Sequence, residues 1–153
     1  MKLITLVIAI ALSLSAGNLD LKEEMTSAFK AQVADAKKST KAISDKELVK
    51  WIDEDKKFVL VDIREANELT SGIIAAKNYK HIPRGVLVLK VFKKLALKPS
   101  ETIVLYCKLG PRSAFAAKEL QDFYGFKHVS YLEGGVKQWK KNGHKLEKYQ
   151  AKQ

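Results

Sequence analysis

Between Thr102 and Tyr124 the sequence changes its period, and that change constrains the architecture more than any other stretch. Thr102-Ile103-Val104-Leu105-Tyr106 is an apolar, β-branched run of the kind found in strands buried on both faces. Gly110 and Pro111 stop it. From Arg112 onward Ala114, Phe115, Ala117, Leu120, Phe123 and Tyr124 recur at helical spacing. A strand without a polar face must be covered on both sides, which predicts an α/β domain whose parallel sheet of about five strands is flanked by helices on both faces. The loop joining this strand to this helix holds Cys107, the single cysteine of the chain.

That position has chemical consequences. The first turn of a helix leaves backbone N–H groups unpaired and carries partial positive charge, so a thiolate placed there is stabilised. Arg112 adds a full positive charge, and the amides of the segment from Lys108 to Ser113 are expected to cradle an anion attached to sulfur or attacking it. Cys107 is therefore the candidate nucleophile, and Lys108, Leu109, Gly110, Pro111, Arg112 and Ser113 are the candidate substrate-binding loop. A purely structural cysteine has no use for a glycine-bearing loop with an arginine beside it.

Other segments fit around this loop. Ser44-Asp45-Lys46-Glu47 has the spacing of a capping box before a helix whose buried face carries Leu48, Val49, Trp51 and Ile52. Phe58 to Asp62 reads as a second buried strand, with Asp62 and Arg64 at its carboxyl end, the edge where open α/β sheets bind ligands. One or two helical turns are expected over Ala66 to Gly72. A helix is expected over Gly85 to Leu97, with Val88, Val91, Phe92 and Leu95 on one side. His128 to Leu132 reads as the last strand, and Glu133-Gly134-Gly135 turns it into a helix that Trp139 packs on the core.

Cys107-Lys108-Leu109-Gly110-Pro111-Arg112-Ser113 resembles the active-site loop of the rhodanese family of sulfurtransferases. Four residues separate Cys107 from Arg112; the related cysteine phosphatases place five there, which makes room for a phosphate. Asp62-Ile63-Arg64 and Leu132-Glu133-Gly134-Gly135 with Trp139 are similar to two further motifs of the family, in the same order along the chain. Gly72-Ile73-Ile74-Ala75-Ala76 departs from the family's Gly-His-Ile-Pro-Gly-Ala. His81-Ile82-Pro83-Arg84-Gly85 is similar to the region downstream of it, with His81 expected to be structural and Arg84 able to attract anions.

The resemblance spans roughly Ser39 to Leu146 and implies a rhodanese fold. It also implies a persulfide on Cys107, formed from a small anionic donor such as thiosulfate or polysulfide and removed by a thiol, cyanide or protein acceptor. Asp62 and Arg64 are implied as supporting residues, and no metal or other cofactor is required. The alternatives are a sulfur carrier or persulfide relay that docks on a partner protein, and a phosphatase-like relative, which the loop length disfavours.

Composition adds a compartment and a charge. Leu3 to Leu14 is apolar, follows Lys2 and precedes the small residues Ser15, Ala16 and Gly17, so residues 1–17 are expected to be a signal peptide cleaved after Ser15 or Gly17. Export, to a periplasm, is then expected, with no stable membrane anchor after cleavage. Residues 18–38 are expected to be an amphipathic helical extension, with Leu21, Met25, Ala28, Phe29, Gln32, Val33 and Ala36 near one face, and residues 39–153 the domain itself. A lone thiol in an oxidising compartment forms no disulfide within its chain, which favours a catalytic role for it. The net charge of +11 is mostly scattered lysine, suited to small anions or acidic partners; no arginine stripe with interleaved aromatics marks specific nucleic-acid binding.

Overall fold

The computed structural model describes residues 26–93 and 95–150. The expected signal peptide, residues 1–17, lies outside them, as does the start of the amphipathic extension. Residues 26–39 form helix α1, and a compact unit runs from Ala36 to Gln153. Along α1, Ala28, Phe29 and Gln32 are exposed, Val33 is half-buried and Ala36 is fully buried.

The compact unit is a five-stranded sheet, parallel throughout, in the order β1-β5-β4-β2-β3. Its strands are β1 (Lys41–Ile43), β2 (Val59–Asp62), β3 (Tyr79–His81), β4 (Thr102–Tyr106) and β5 (His128–Leu132). The two longest, β4 and β5, are the runs legible in the sequence, and β2 begins one residue later than expected. Both edge strands are only three residues long, too short to leave a periodic signature.

Helices α2 (Asp45–Asp53), α3 (Leu87–Lys90), α4 (Pro111–Tyr124) and α5 (Gly135–Lys141) cover the sheet. Alternation along the strands produces two cores. Val59, Val61, Ile103, Leu105, Val129 and Tyr131 face α3 and α4, where they meet Leu87, Ala114, Ala117 and Leu120. Leu60, Val104, Tyr106 and Leu132 face α2 and α5, where they meet Leu48, Trp51, Val136 and Trp139. Cys107 continues the register of Ile103 and Leu105 and so emerges on the α4 side.

Ser44 caps α2 by accepting from the Glu47 N–H at 3.1 Å. Two apolar expectations are corrected. Phe123 is 78 % exposed on α4, because Gly125 (φ +70°) ends the helix in the left-handed conformation and Phe126 folds back into the core in its place. The segment 85–97 is not one helix: after a 3-10 turn at Arg84–Val86, α3 lasts four residues. Leu87, Val91, Leu95 and Leu97 are buried, whereas Phe92 is 48 % exposed and Val88 only half-buried. Ala96, at φ +49°, redirects the chain before β4.

Candidate active site

The carboxyl end of β4 delivers Cys107 to a loop that closes at once into α4. Pro111 occupies the first position of the helix, where the lack of an N–H costs nothing, and Gly110 is the N-cap at φ +105°. Pro111 also takes one amide out of the expected cradle. The Gly110 N–H donates to Cys107 Sγ at 3.1 Å, and the Ser113 hydroxyl lies 3.6 Å from the same sulfur. Ser113 Oγ is nearer the Gly110 carbonyl, at 2.8 Å, so its single proton has two acceptors within reach. Cys107 is 1 % exposed, whereas Lys108 and Leu109 stand out into solvent. The sulfur therefore lies on the floor of the loop.

A second element holds the loop from outside. Gly135 has φ +58°, and a Cβ there would lie 2.4 Å from the Cys107 carbonyl oxygen and 2.8 Å from the Leu109 nitrogen. Only glycine permits that approach. It brings the Val136 N–H to the Cys107 carbonyl at 2.9 Å and the Lys137 N–H to the Lys108 carbonyl at 3.0 Å. The first turn of α5 thus fixes two carbonyls of the cysteine loop. Just past the end of α5, Asn142 and His144 both bond the Asp45 carboxylate at the start of α2, and Asn142, foremost, holds that carboxyl below its ordinary value.

Arg112 does not point alone into the loop. Its guanidinium makes a bidentate pair with Glu68, both bonds 2.7 Å, and this pairing pulls the Glu68 carboxyl down to about 2. The same contact raises Arg112 above its ordinary value. Glu68 sits in the 3-10 helix Ala66–Ser71, where its carboxylate also accepts from the Glu65 N–H at 2.9 Å.

Asp62 and Arg64 are 0 % and 1 % exposed and form a buried ion pair with a shortest contact of 2.6 Å. Arg64 also donates to the carbonyls of Glu68 and Gly72 and to Ser71 Oγ. The pair therefore shapes the turn that presents Glu68 to Arg112, and the Arg64 guanidinium lies 5.5 Å over the ring of Tyr106, the residue before Cys107. His81 Nε2 bonds the Arg64 carbonyl at 2.9 Å, and Arg84 pairs with Glu119 on α4.

Glu68 is the residue that sequence reasoning missed. The available signal was a second carboxylate three residues after Glu65, in the turn that follows Asp62-x-Arg64 at the sheet edge shared with Cys107. The unusual Gly72–Ala76 segment also finds its role here. Ile73 pairs with Glu147 through two backbone bonds of 2.8 and 2.9 Å, and the Ile74 N–H donates to the buried Tyr106 hydroxyl.

A sequence model described as Rhodanese-like domain matches residues 44–142. The chain is 36 % identical over 107 residues to the "Probable adenylyltransferase/sulfurtransferase MoeZ" of Mycobacterium tuberculosis, covering 69 % of this chain and 26 % of that protein. It thus spans about a quarter of the length of the curated relatives it matches. Among solved structures, the polysulfide-sulfur transferase homodimer of Wolinella succinogenes superposes with a TM-score of 0.69 at 37 % identity, covering 81 % of this chain and 90 % of that one. A Rhodopseudomonas palustris protein of unknown function, described as a possible tyrosine phosphatase, superposes with a TM-score of 0.68 at 30 % identity, covering 78 % and 93 %.

Proposed function

Because the chain belongs to the rhodanese-like domain family, we propose that it is a sulfurtransferase that carries sulfur as a persulfide on Cys107, taking it from thiosulfate or polysulfide and passing it to a nucleophilic acceptor. One observation carries this reading: a sulfur on the floor of a tight loop, 3.1 Å from the Gly110 N–H and 3.6 Å from the Ser113 hydroxyl.

The Cys107 thiolate attacks the outer sulfur of the donor; with thiosulfate, the S–S bond breaks and sulfite leaves with its electron pair. The negative charge then rests on the outer sulfur of the persulfide. Unpaired N–H groups of the first turn of α4 stabilise it, and the Ser113 proton can turn from the Gly110 carbonyl toward the accumulating charge. An acceptor nucleophile next attacks that outer sulfur and Cys107 leaves as thiolate. Lys108, exposed at the loop mouth, attracts the anionic donor. Arg112 fixes the loop from its pair with Glu68 and adds positive potential at short range.

The pairing of Arg112 also weighs against phosphate-ester chemistry, since both terminal nitrogens that would clamp a phosphoryl group are engaged by a carboxylate. Export through residues 1–17 and work in a periplasm remain part of the proposal. Thiocyanate release from thiosulfate or polysulfide plus cyanide tests the activity: turnover is expected in the wild type and none in Cys107→Ser. Rapid sulfur exchange with a protein partner and no turnover with either small donor would instead assign a relay role.

A further inference from the structure

Beside the cysteine loop lies a cavity of about 400 Å³, between the turn carrying Asn67 and Thr70 and one face of α5. Neither Cys107 nor Arg112 lines it. Its ionic wall is one-sided. Glu68 is engaged by Arg112 and Arg64 by Asp62, whereas the ammonium groups of Lys108, Lys137 and Lys140 have no carboxylate partner among the described residues. Lys137 and Lys140 stand one helical turn apart on α5. The bonds from the Val136 and Lys137 N–H groups to the Cys107 and Lys108 carbonyls tie this wall to the loop, and Lys108, the residue after the reacting cysteine, itself lines the cavity.

The volume suits a small organic molecule and far exceeds what thiosulfate occupies. Resting on the sulfurtransferase reading above, the geometry points to this cavity as the acceptor subsite, selective for a small thiol that carries two or more carboxylates. The carboxylates lie against the three lysines, and the Asn67 side-chain amide, which also lines the cavity, donates to them. The thiolate end reaches over Lys108 to the loop. It attacks the outer sulfur of the Cys107 persulfide, a new S–S bond forms, and the old one breaks with its electron pair returning to Cys107 as thiolate. The acceptor departs as a persulfide, and no oxidant or reductant is consumed.

The test uses the whole protein, loaded with thiosulfate or polysulfide and freed of excess donor. It is then mixed with mercaptosuccinate or with 2-mercaptoethanol at matched thiolate concentration, and loss of the added sulfur is followed by mass spectrometry. At low concentration mercaptosuccinate is expected to discharge Cys107 about tenfold faster, a modest gain for ion pairs at partly exposed lysines. It should saturate, and succinate, which has no thiol, should slow it. In Lys137→Gln/Lys140→Gln the preference should shrink to about twofold or less on the same reasoning. Both positions are exposed, so glutamine is tolerated there, and the succinate competition needs no variant.

Equal rates with the two thiols, indifference to succinate, or a preference that survives removal of the lysines overturns the subsite while leaving the sulfurtransferase standing. A Cys107 that never loads overturns both.

Discussion

At the scale of single residues, the site depends on two contacts that have no substitute. Gly135 is one: a methyl group there meets the Cys107 carbonyl at 2.4 Å in a backbone conformation with φ +58°. Gly135→Ala is expected to cost about 3 kcal/mol from strain at φ and displaced backbone, and roughly a hundredfold in sulfur loading, because the loop must shift by a fraction of an ångström or more. Loading at the wild-type rate would show that α5 does not position the loop. Glu68 is the other. Its carboxyl is held at about 2 by Arg112 against an ordinary 4.5, so its contribution to stability is complete above about pH 4.5 and is lost as the pH falls toward about 2. With side-chain exposures of 22 % and 38 %, screening reduces the pair to about 1–2 kcal/mol. Urea titrations from pH 2 to pH 7 should therefore show Glu68→Gln less stable than wild type at neutral pH and converging with it in acid. A constant difference across that range would contradict the assignment. The Cys107 loop was legible because glycine, proline and arginine around a lone cysteine leave few structural readings. Glu68 was not, since a carboxylate that bonds an arginine 44 positions away shows no local pattern.

At the scale of elements, the ends of β2, β4 and β5 and the starts of α4 and α5 meet at one edge of the sheet, and the buried Asp62–Arg64 pair joins β2 to the turn that carries Glu68. Asp62→Ala leaves an arginine at 1 % exposure without its counterion and is expected to cost about 3–5 kcal/mol. The double variant Asp62→Ala/Arg64→Met should recover much of that stability without restoring the turn. Equal stability of the two variants in thermal denaturation would mean that the unpaired charge is not the cause. The three inner strands could be read from sequence because burial on both faces demands unbroken apolar runs. The edges β1 and β3 pair on one side only and last three residues, so nothing periodic accumulates. The segment 85–97 misled for the opposite reason: its apolar residues recur near helical spacing, but Ala96 at φ +49° and the 3-10 turn at Arg84–Val86 break the helix to fit the distance back to β4.

At the scale of the whole molecule, a parallel sheet with two separate cores holds a single thiol beyond the carboxyl end of a central strand, in a chain whose formal charge is +11. Under the proposed function that charge draws anionic donors toward the Cys107 loop from a distance. The fold class and the order of the site motifs follow from the sequence, whereas the lysine-walled cavity depends on how α5 docks, which no linear spacing encodes. Every step of the proposed chemistry passes through a persulfide on Cys107. Intact-mass and peptide mapping of the protein after brief exposure to thiosulfate or polysulfide tests it most directly, with Cys107→Ser in parallel. The mass of one added sulfur atom is expected, located on Cys107, removed by cyanide with release of thiocyanate and absent from the variant. A thiol shown to be free and accessible that gains no sulfur from either donor would contradict it.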